Sequence, residues 1–203
     1  MDSLLETKAR LRRQALAHRD ALAAPVRATH SEAIVRLLLA FAPYRQAERL
    51  GVYLPIRSEV DTRGLIAAAL AEGKQVAAPV TRWEERALDF RYLGGDRDLV
   101  PGRGGIPEPG PHCPAADLAG LDLVLVPGVV FDRRGYRLGY GAGLYDRALA
   151  AAPAVPRVGL AFSVQVVARI PPGPGDLPVD WLVTEAGFLD CRGRREAELG
   201  QAG

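Results

Sequence analysis

The chain has 203 residues, 48% hydrophobic and 25% charged, with a mean hydropathy of +0.01. That length suits one α/β domain with a sizeable core, and the composition excludes both a disordered chain and a membrane one. Lys and Arg number 26 against 24 Asp and Glu, a net +2 that is too balanced for general nucleic-acid binding.

The two cysteines, Cys113 and Cys191, lack CxxC spacing and histidine pairs, so they suggest neither a disulfide framework nor a zinc site. The longest apolar runs are too short to cross a bilayer, and the N-terminus has no signal-peptide apolar core. The expectation is a cytoplasmic protein without membrane or nucleic-acid partners.

In chain order, residues 4 to about 40 carry leucines at helical spacing with a break near Ala24-Pro25, which predicts two helices. RLGVYLP (49–55) predicts a strand, IRSEV a turn, and 61–71 a helix capped by Asp61 or Thr62 and stopped by Gly73. KQVAAPVT completes a βαβ unit with parallel strands. RWEERALDFRYL predicts a hairpin or edge strand, and the Pro/Gly-rich stretch 101–114 a loop without ladder or helix.

LDLVLVPGVVFD is the most apolar stretch and predicts a central parallel strand buried on both faces. After it come a glycine-rich run, a helix over 144–152, a strand PRVGLAFS, a short helix VQVVARI and a last strand DWLVTE. The pattern predicts a single three-layer α/β/α domain over 1–190 with a mostly parallel sheet, and a flexible tail over 191–203.

The glycine-rich run RLGYGAGLYDR (137–147) has Gly139, Gly141 and Gly143 at alternate positions, between a buried strand and a helix. Backbone N–H groups there converge on an anion, glycines permit close approach, and Arg137 and Arg147 add charge. The same glycines also suit a mere tight turn. Neither GxxxxGK[ST] nor GxGxxG with a later ribose-binding acid is present, which removes the P-loop and dinucleotide readings.

The longer run PGVVFDRRGYRLGYGAGLYDR (127–147) resembles the signature PGVAFDxxGxRLGxGxGYYDR of the 5-formyltetrahydrofolate cyclo-ligase family. KARLR (8–12), YLPIRSEVDT (53–62), GGIPEP (104–109) and VDWLVTE (179–185) resemble further family segments, in the right order. The resemblance implies an ATP-dependent enzyme that closes 5-formyltetrahydrofolate to 5,10-methenyltetrahydrofolate with release of ADP and phosphate. The formyl oxygen attacks the γ-phosphorus, N10 adds to the activated carbon, and phosphate departs.

Carried over by position, the resemblance assigns ATP contacts to Lys8, Arg12, Arg137, Gly139, Tyr140, Gly141, Ala142, Gly143, Leu144 and Tyr145. Folate contacts fall to Leu54, Glu59 and the segment Tyr140 to Leu144, and catalytic roles to Arg137 and Glu59. Mg²⁺ would be held by Asp146 and Asp180, as suits an ion that takes one or two carboxylates beside phosphate oxygens. The implied partners are the two substrates alone, with the chain acting as a monomer or dimer.

Three positions depart from the pattern: Ala142 stands where relatives have Gly or a basic residue, Leu144 replaces an aromatic, and GDLPVD (175–180) lacks a histidine. Plainer readings stay open as well. Asp146 could cap a helix, Asp180 and Glu59 a turn, Lys8 and Arg12 could form a solvated helix face, and Tyr53, Tyr140 and Tyr145 could be core. A regulatory or nucleic-acid-binding relative that keeps the fold without catalysis, and a sugar-phosphate or coenzyme A enzyme of similar layout, are the competing functions.

Overall fold

A computed structural model describes residues 3–195 of the chain. The helices are α1 (Leu4–Ala21), α2 (Ala24–Ala40), α3 (Ala42–Gln46), α4 (Arg63–Ala71) and α5 (Leu144–Ala150). The first half of the strands runs β1 (Arg49–Gly51), β2 (Gln75–Arg82), β3 (Ala87–Leu93), β4 (Leu99–Pro101), β5 (Pro107–Pro109) and β6 (Ala115–Ala116). The rest are β7 (Leu123–Val126), β8 (Val130–Asp132), β9 (Arg137–Leu138), β10 (Arg157–Leu160), β11 (Val166–Val167), β12 (Trp181–Thr184) and β13 (Gly187–Asp190).

The main sheet has eight strands in the order β13-β12-β10-β7-β1-β2-β3-β6. Its middle, from β12 to β2, is parallel throughout, while β13, β3 and β6 join antiparallel at the margins. The expected mostly parallel sheet and the β1–α4–β2 crossover are both present. Strand β7, LVLV, is buried at every position because alternate side chains enter different cores. Leu123 and Leu125 meet Ile34 and Leu38 of α2 and Leu65 of α4; Val124 and Val126 meet Phe131 and Leu149 of α5 on the other face. Helices therefore cover both sides. No described helix is long and apolar enough to cross a membrane.

Helix α1 opens on a capping box: Glu6 N–H donates to Ser3 Oγ at 3.2 Å, and Ser3 N–H to the Glu6 carboxylate at 2.7 Å. The break before α2 falls at Leu22-Ala23, slightly earlier than expected, because Pro25 is tolerated in the first turn of a helix where its missing N–H has no partner to lose.

Four expectations need correction. LDLVLVPGVVFD is not one strand: β7 ends at Val126, and after Pro127-Gly128 the chain leaves the main sheet as β8, which pairs with β9 and β11 in a small separate sheet. VQVVARI is not one short helix: a single 3-10 turn over Ser163–Gln165 opens it and Val166–Val167 then form β11, since the Gln165 amide donates to the carbonyls of Gly128 and Val129 and pulls the following valines alongside Phe131 and Asp132. Stretch 101–114 does carry a short ladder, β5 pairing with β4. DWLVTE is not the last strand, because Gly187, at φ +129, turns the chain back into β13. Of segment 191–203, residues 196–203 lie outside the described residues; Cys191 is fully buried, and Arg195 donates to the carbonyls of Arg134 and Val179 at 2.8 Å.

Candidate active site

The β8–β9 turn owes its shape to Asp132, which has no solvent exposure. Its carboxylate accepts from the N–H groups of Arg134 (2.9 Å), Tyr136 (3.1 Å) and Ile170 (2.9 Å), and pairs with the Arg134 guanidinium at 2.8 Å. A buried carboxylate satisfied on this scale fixes the loop that ends in Arg137. Gly135 is required there twice over: its φ is +87, and a Cβ would lie 2.3 Å from the Val179 carbonyl oxygen.

The loop after β9 lines a cleft of about 330 Å³, together with α1, the segment after β1 and the end of β2. The carboxyl ends of β1, β2 and β7 point toward it, the usual ligand position of an open α/β sheet. Gly141 (φ +109) and Gly143 (φ +67) are demanded by the turn itself. Gly139 is not: its φ is unexceptional, and a Cβ there would meet nothing within 4 Å. Glycine at position 139 is therefore required neither by the turn nor by the chain's own packing. Arg147 does not face the cleft as expected; it donates to the carbonyls of Ala142 (2.7 Å) and Arg86 (2.8 Å) and braces the loop from outside.

Cations converge on this loop. Arg137, 5% exposed, pairs with Asp146 at 3.2 Å and donates to the Leu177 carbonyl at 2.7 Å. Burial lowers its pKa from the ordinary guanidinium value, and the charge of Asp146 opposes that shift. Arg12 donates to the Gly139 carbonyl at 2.8 Å, and Lys8 is ion-paired to Asp176. Leu177 N–H donates to Asp146 at 3.2 Å, which keeps Asp176, next in the chain, close to Asp146.

Asp180 is placed elsewhere. It precedes β12 at the amino end of the sheet, accepts from the Arg157 N–H at 2.9 Å, pairs with Arg195 at 3.5 Å and is absent from the cleft wall. The carboxylate that lines the cleft beside Asp146 is Asp176, which the spacing of the motifs did not single out. Its signal was available in GDLPVD, a turn-forming acid whose N–H partner is Gly173 at 2.9 Å.

Across the cleft, Leu54 and Glu59 stand where the segment after β1 turns toward α4. The Glu59 carboxylate accepts from Ile56 N–H at 3.1 Å. Burial raises its pKa from 4.5 to about 7, although the Ile56 N–H and the charges of Arg19 and Arg57 pull the other way. Tyr145 lies between Glu59 and Arg137; its hydroxyl is buried without a hydrogen-bond partner, and burial followed by the charge of Glu59 raises its pKa. Tyr53 is tied down, donating to the Val60 carbonyl at 3.0 Å. Tyr140 is 41% exposed under the Arg57 guanidinium, 5.3 Å from its ring centre.

Arg19 was missed by sequence reasoning. Fully buried, it donates to Ser58 Oγ and to the Tyr140 hydroxyl, both at 2.9 Å, and so joins α1 to both walls of the cleft. Lys8, Ala15 and Arg19 form the buried side of α1, a largely polar face that hydrophobic periodicity cannot detect. Leu54 and Glu59 also border a second hollow of about 380 Å³, walled in part by Arg27, Arg57 and Arg63.

The 5-formyltetrahydrofolate cyclo-ligase family model matches residues 5–185. A 5-formyltetrahydrofolate cyclo-ligase of Saccharomyces cerevisiae is 30% identical over 209 aligned residues, covering 91% of this chain and 98% of its own. That of Mus musculus is 28% identical, covering 81% and 87%. The solved 5,10-methenyltetrahydrofolate synthetase of Aquifex aeolicus superposes with a TM-score of 0.82 at 34% identity, over 91% of this chain and 93% of that one. With its cation-lined glycine loop, its half-buried glutamate opposite and this likeness along nearly its whole length, the chain belongs to the 5-formyltetrahydrofolate cyclo-ligase family.

Proposed function

We propose that the protein is an enzyme that couples ATP to the closure of 5-formyltetrahydrofolate into 5,10-methenyltetrahydrofolate, releasing ADP and phosphate. The observation that carries the reading is the loop Gly139–Gly143, whose exposed backbone lies among Lys8, Arg12 and Arg137 and faces Glu59 across one cleft. The formyl oxygen cannot leave as oxide. Accepting the γ-phosphoryl group of ATP, with ADP leaving, turns it into a phosphate leaving group that N10 then displaces, so the protein must bring two substrates into line and neutralise charge.

The loop amides and Arg137 receive the phosphates, and Arg12 holds the loop through Gly139. A buried guanidinium in place of water makes this neutralisation stronger than a solvated lysine would. On the opposite wall Glu59 accepts an N–H of the pterin, while the unpartnered Tyr145 hydroxyl donates to a substrate oxygen. One hollow of this size is too small for ATP and a folate together, and the adjoining one, with its three arginines, takes the anionic folate tail.

Asp146 and Asp176 offer the hard oxygen donors that suit Mg²⁺, which supplies charge neutralisation on the triphosphate when bound. Their present partners, Arg137 and Lys8, are the same cations that phosphates would draw away. The reading is tested by mixing the purified protein with 5-formyltetrahydrofolate, Mg²⁺ and ATP and following the near-ultraviolet absorbance of the methenyl product. An ATP-dependent rise is expected; its absence at high enzyme concentration sinks the proposal.

A further inference from the structure

A cluster outside the cleft has metal-ligand chemistry. Asp98, His112 and Cys113 bring a carboxylate oxygen, an imidazole nitrogen and a thiol sulfur within 4.8 Å of one another. His112 Nε2 lies 3.3 Å from Asp98 Oδ1. Two arms of about 2.0–2.2 Å set at the tetrahedral angle span an edge of roughly 3.3–3.5 Å, so this pair already has the separation of two ligands on one zinc-sized ion. The Cys113 thiol is 4% exposed and makes a weak 3.8 Å contact with the Asp98 carbonyl, a partner easily given up.

The backbone holds the three residues together independently of their side chains. Gly110 N–H donates to the Asp98 carbonyl at 2.8 Å, Cys113 N–H to the Gly110 carbonyl at 3.0 Å, and Gly94 N–H fixes the other Asp98 oxygen at 2.6 Å. Arg91 donates to the carbonyls of Pro111 and Cys113, so the His112–Cys113 segment is pinned to β3. Such pre-ordering lowers the entropy that a bound ion would otherwise have to overcome. A sulfur, a nitrogen and an oxygen together discriminate against Mg²⁺ and Ca²⁺, which want oxygen alone, and favour an ion of the zinc class.

We propose that Asp98, His112 and Cys113 form a site for a divalent transition-metal ion of the zinc class, with water as fourth ligand, that clamps the base of the β4–β5 hairpin. Binding replaces the Cys113 S–H bond by a sulfur–metal bond and releases that proton to solvent. The imidazole binds as the neutral base and Asp98 as the carboxylate, with no change of oxidation state. The clamp joins both ends of a hairpin whose connecting segment carries Ile106 into the cleft wall, while Leu99 and Pro107 border the adjoining hollow. Metal at this site therefore stiffens a flap over the substrate-binding space.

The test uses the full chain titrated with Co²⁺ in the presence of excess Mg²⁺, which fills oxygen-only sites. One equivalent of Co²⁺ is expected to give an intense thiolate-to-cobalt absorption in the near ultraviolet, displaced by Zn²⁺. Cys113→Ser and His112→Gln should each abolish the band, and Asp98→Asn should weaken uptake at least about 10-fold. The His112 side chain is 58% exposed, so His112→Gln folds normally and carries the test even if the buried Cys113→Ser does not. No thiolate band in the wild type, or an undiminished band in either ligand variant, overturns the proposal.

Discussion

The Arg19 guanidinium donates to the Tyr140 hydroxyl at 2.9 Å, linking the first helix to the centre of the glycine loop more than a hundred positions away. Its second bond goes to Ser58, the neighbour of Glu59, while its Nη1 stays buried without a partner. One buried charge thereby sets the spacing between the two walls of the cleft. Arg19→Met should cost about 1.5–3 kcal/mol of transition-state stabilisation, a roughly 10- to 100-fold fall in kcat/KM expressed mainly in the folate KM. Arg19→Lys, which keeps the charge but not the fork, should recover part of it. Steady-state kinetics on folded variants decide; an unaltered folate KM in Arg19→Met would remove Arg19 from the site.

Glu59 makes stability depend on pH. Its folded pKa of about 7 lies above the ordinary 4.5, so between these values the folded state binds more protons than the unfolded one. Stability from this group is therefore present below about 4.5 and is lost as pH rises toward 7. Glu59→Gln removes the loss: its thermal midpoint should exceed that of the wild type most at pH 8 and least at pH 4, while its turnover falls. A constant difference in midpoint across that range would contradict the assigned pKa.

The carboxylates separate by place. Asp146→Asn and Asp176→Asn should each raise the Mg²⁺ concentration for half-maximal rate by about 10-fold or more, because each removes one of the two hard donors beside the glycine loop. Asp180→Asn should instead lower the thermal midpoint, since it loosens the Arg157 N–H and the Arg195 guanidinium. Mg²⁺ titrations alongside melting curves distinguish the two patterns, and the reverse assignment is the outcome that would return Asp180 to the metal.

Asp132 is structural. Asp132→Asn leaves the Arg134 charge buried beside a neutral amide, an exchange that costs about 3–5 kcal/mol when a buried pair is broken. Denaturant unfolding should show that loss. A change below about 1 kcal/mol would mean that the surrounding N–H groups, not the ion pair, hold the β8–β9 turn.

The chain's local chemistry was legible wherever one segment is enough to define it. Leucine spacing announced α1 and α2, the β-branched run announced β7, and RLGYGAGLYDR announced a loop that could receive phosphate. VQVVARI misled because its fate depends on Gln165 reaching two carbonyls far along the chain, an interaction with no local trace. LDLVLVPGVVFD misled because β7 and the Val130-Phe131 start of β8 are both apolar and buried, although they belong to different sheets.

By itself the sequence determined the family, the parallel α/β plan and the side-chain inventory around the glycine loop, since all three are written in contiguous motifs and periodicities. Only the tertiary structure decided which acids share the cleft. Asp176 and Asp180 are four positions apart in one short segment, and the register of that segment against Asp146 and Arg157 sends one toward the glycine loop and the other to the far end of the sheet. The same holds for Arg19 and for the Asp98–His112–Cys113 cluster: each draws its partners from separate segments, and only folding sets the distances between them.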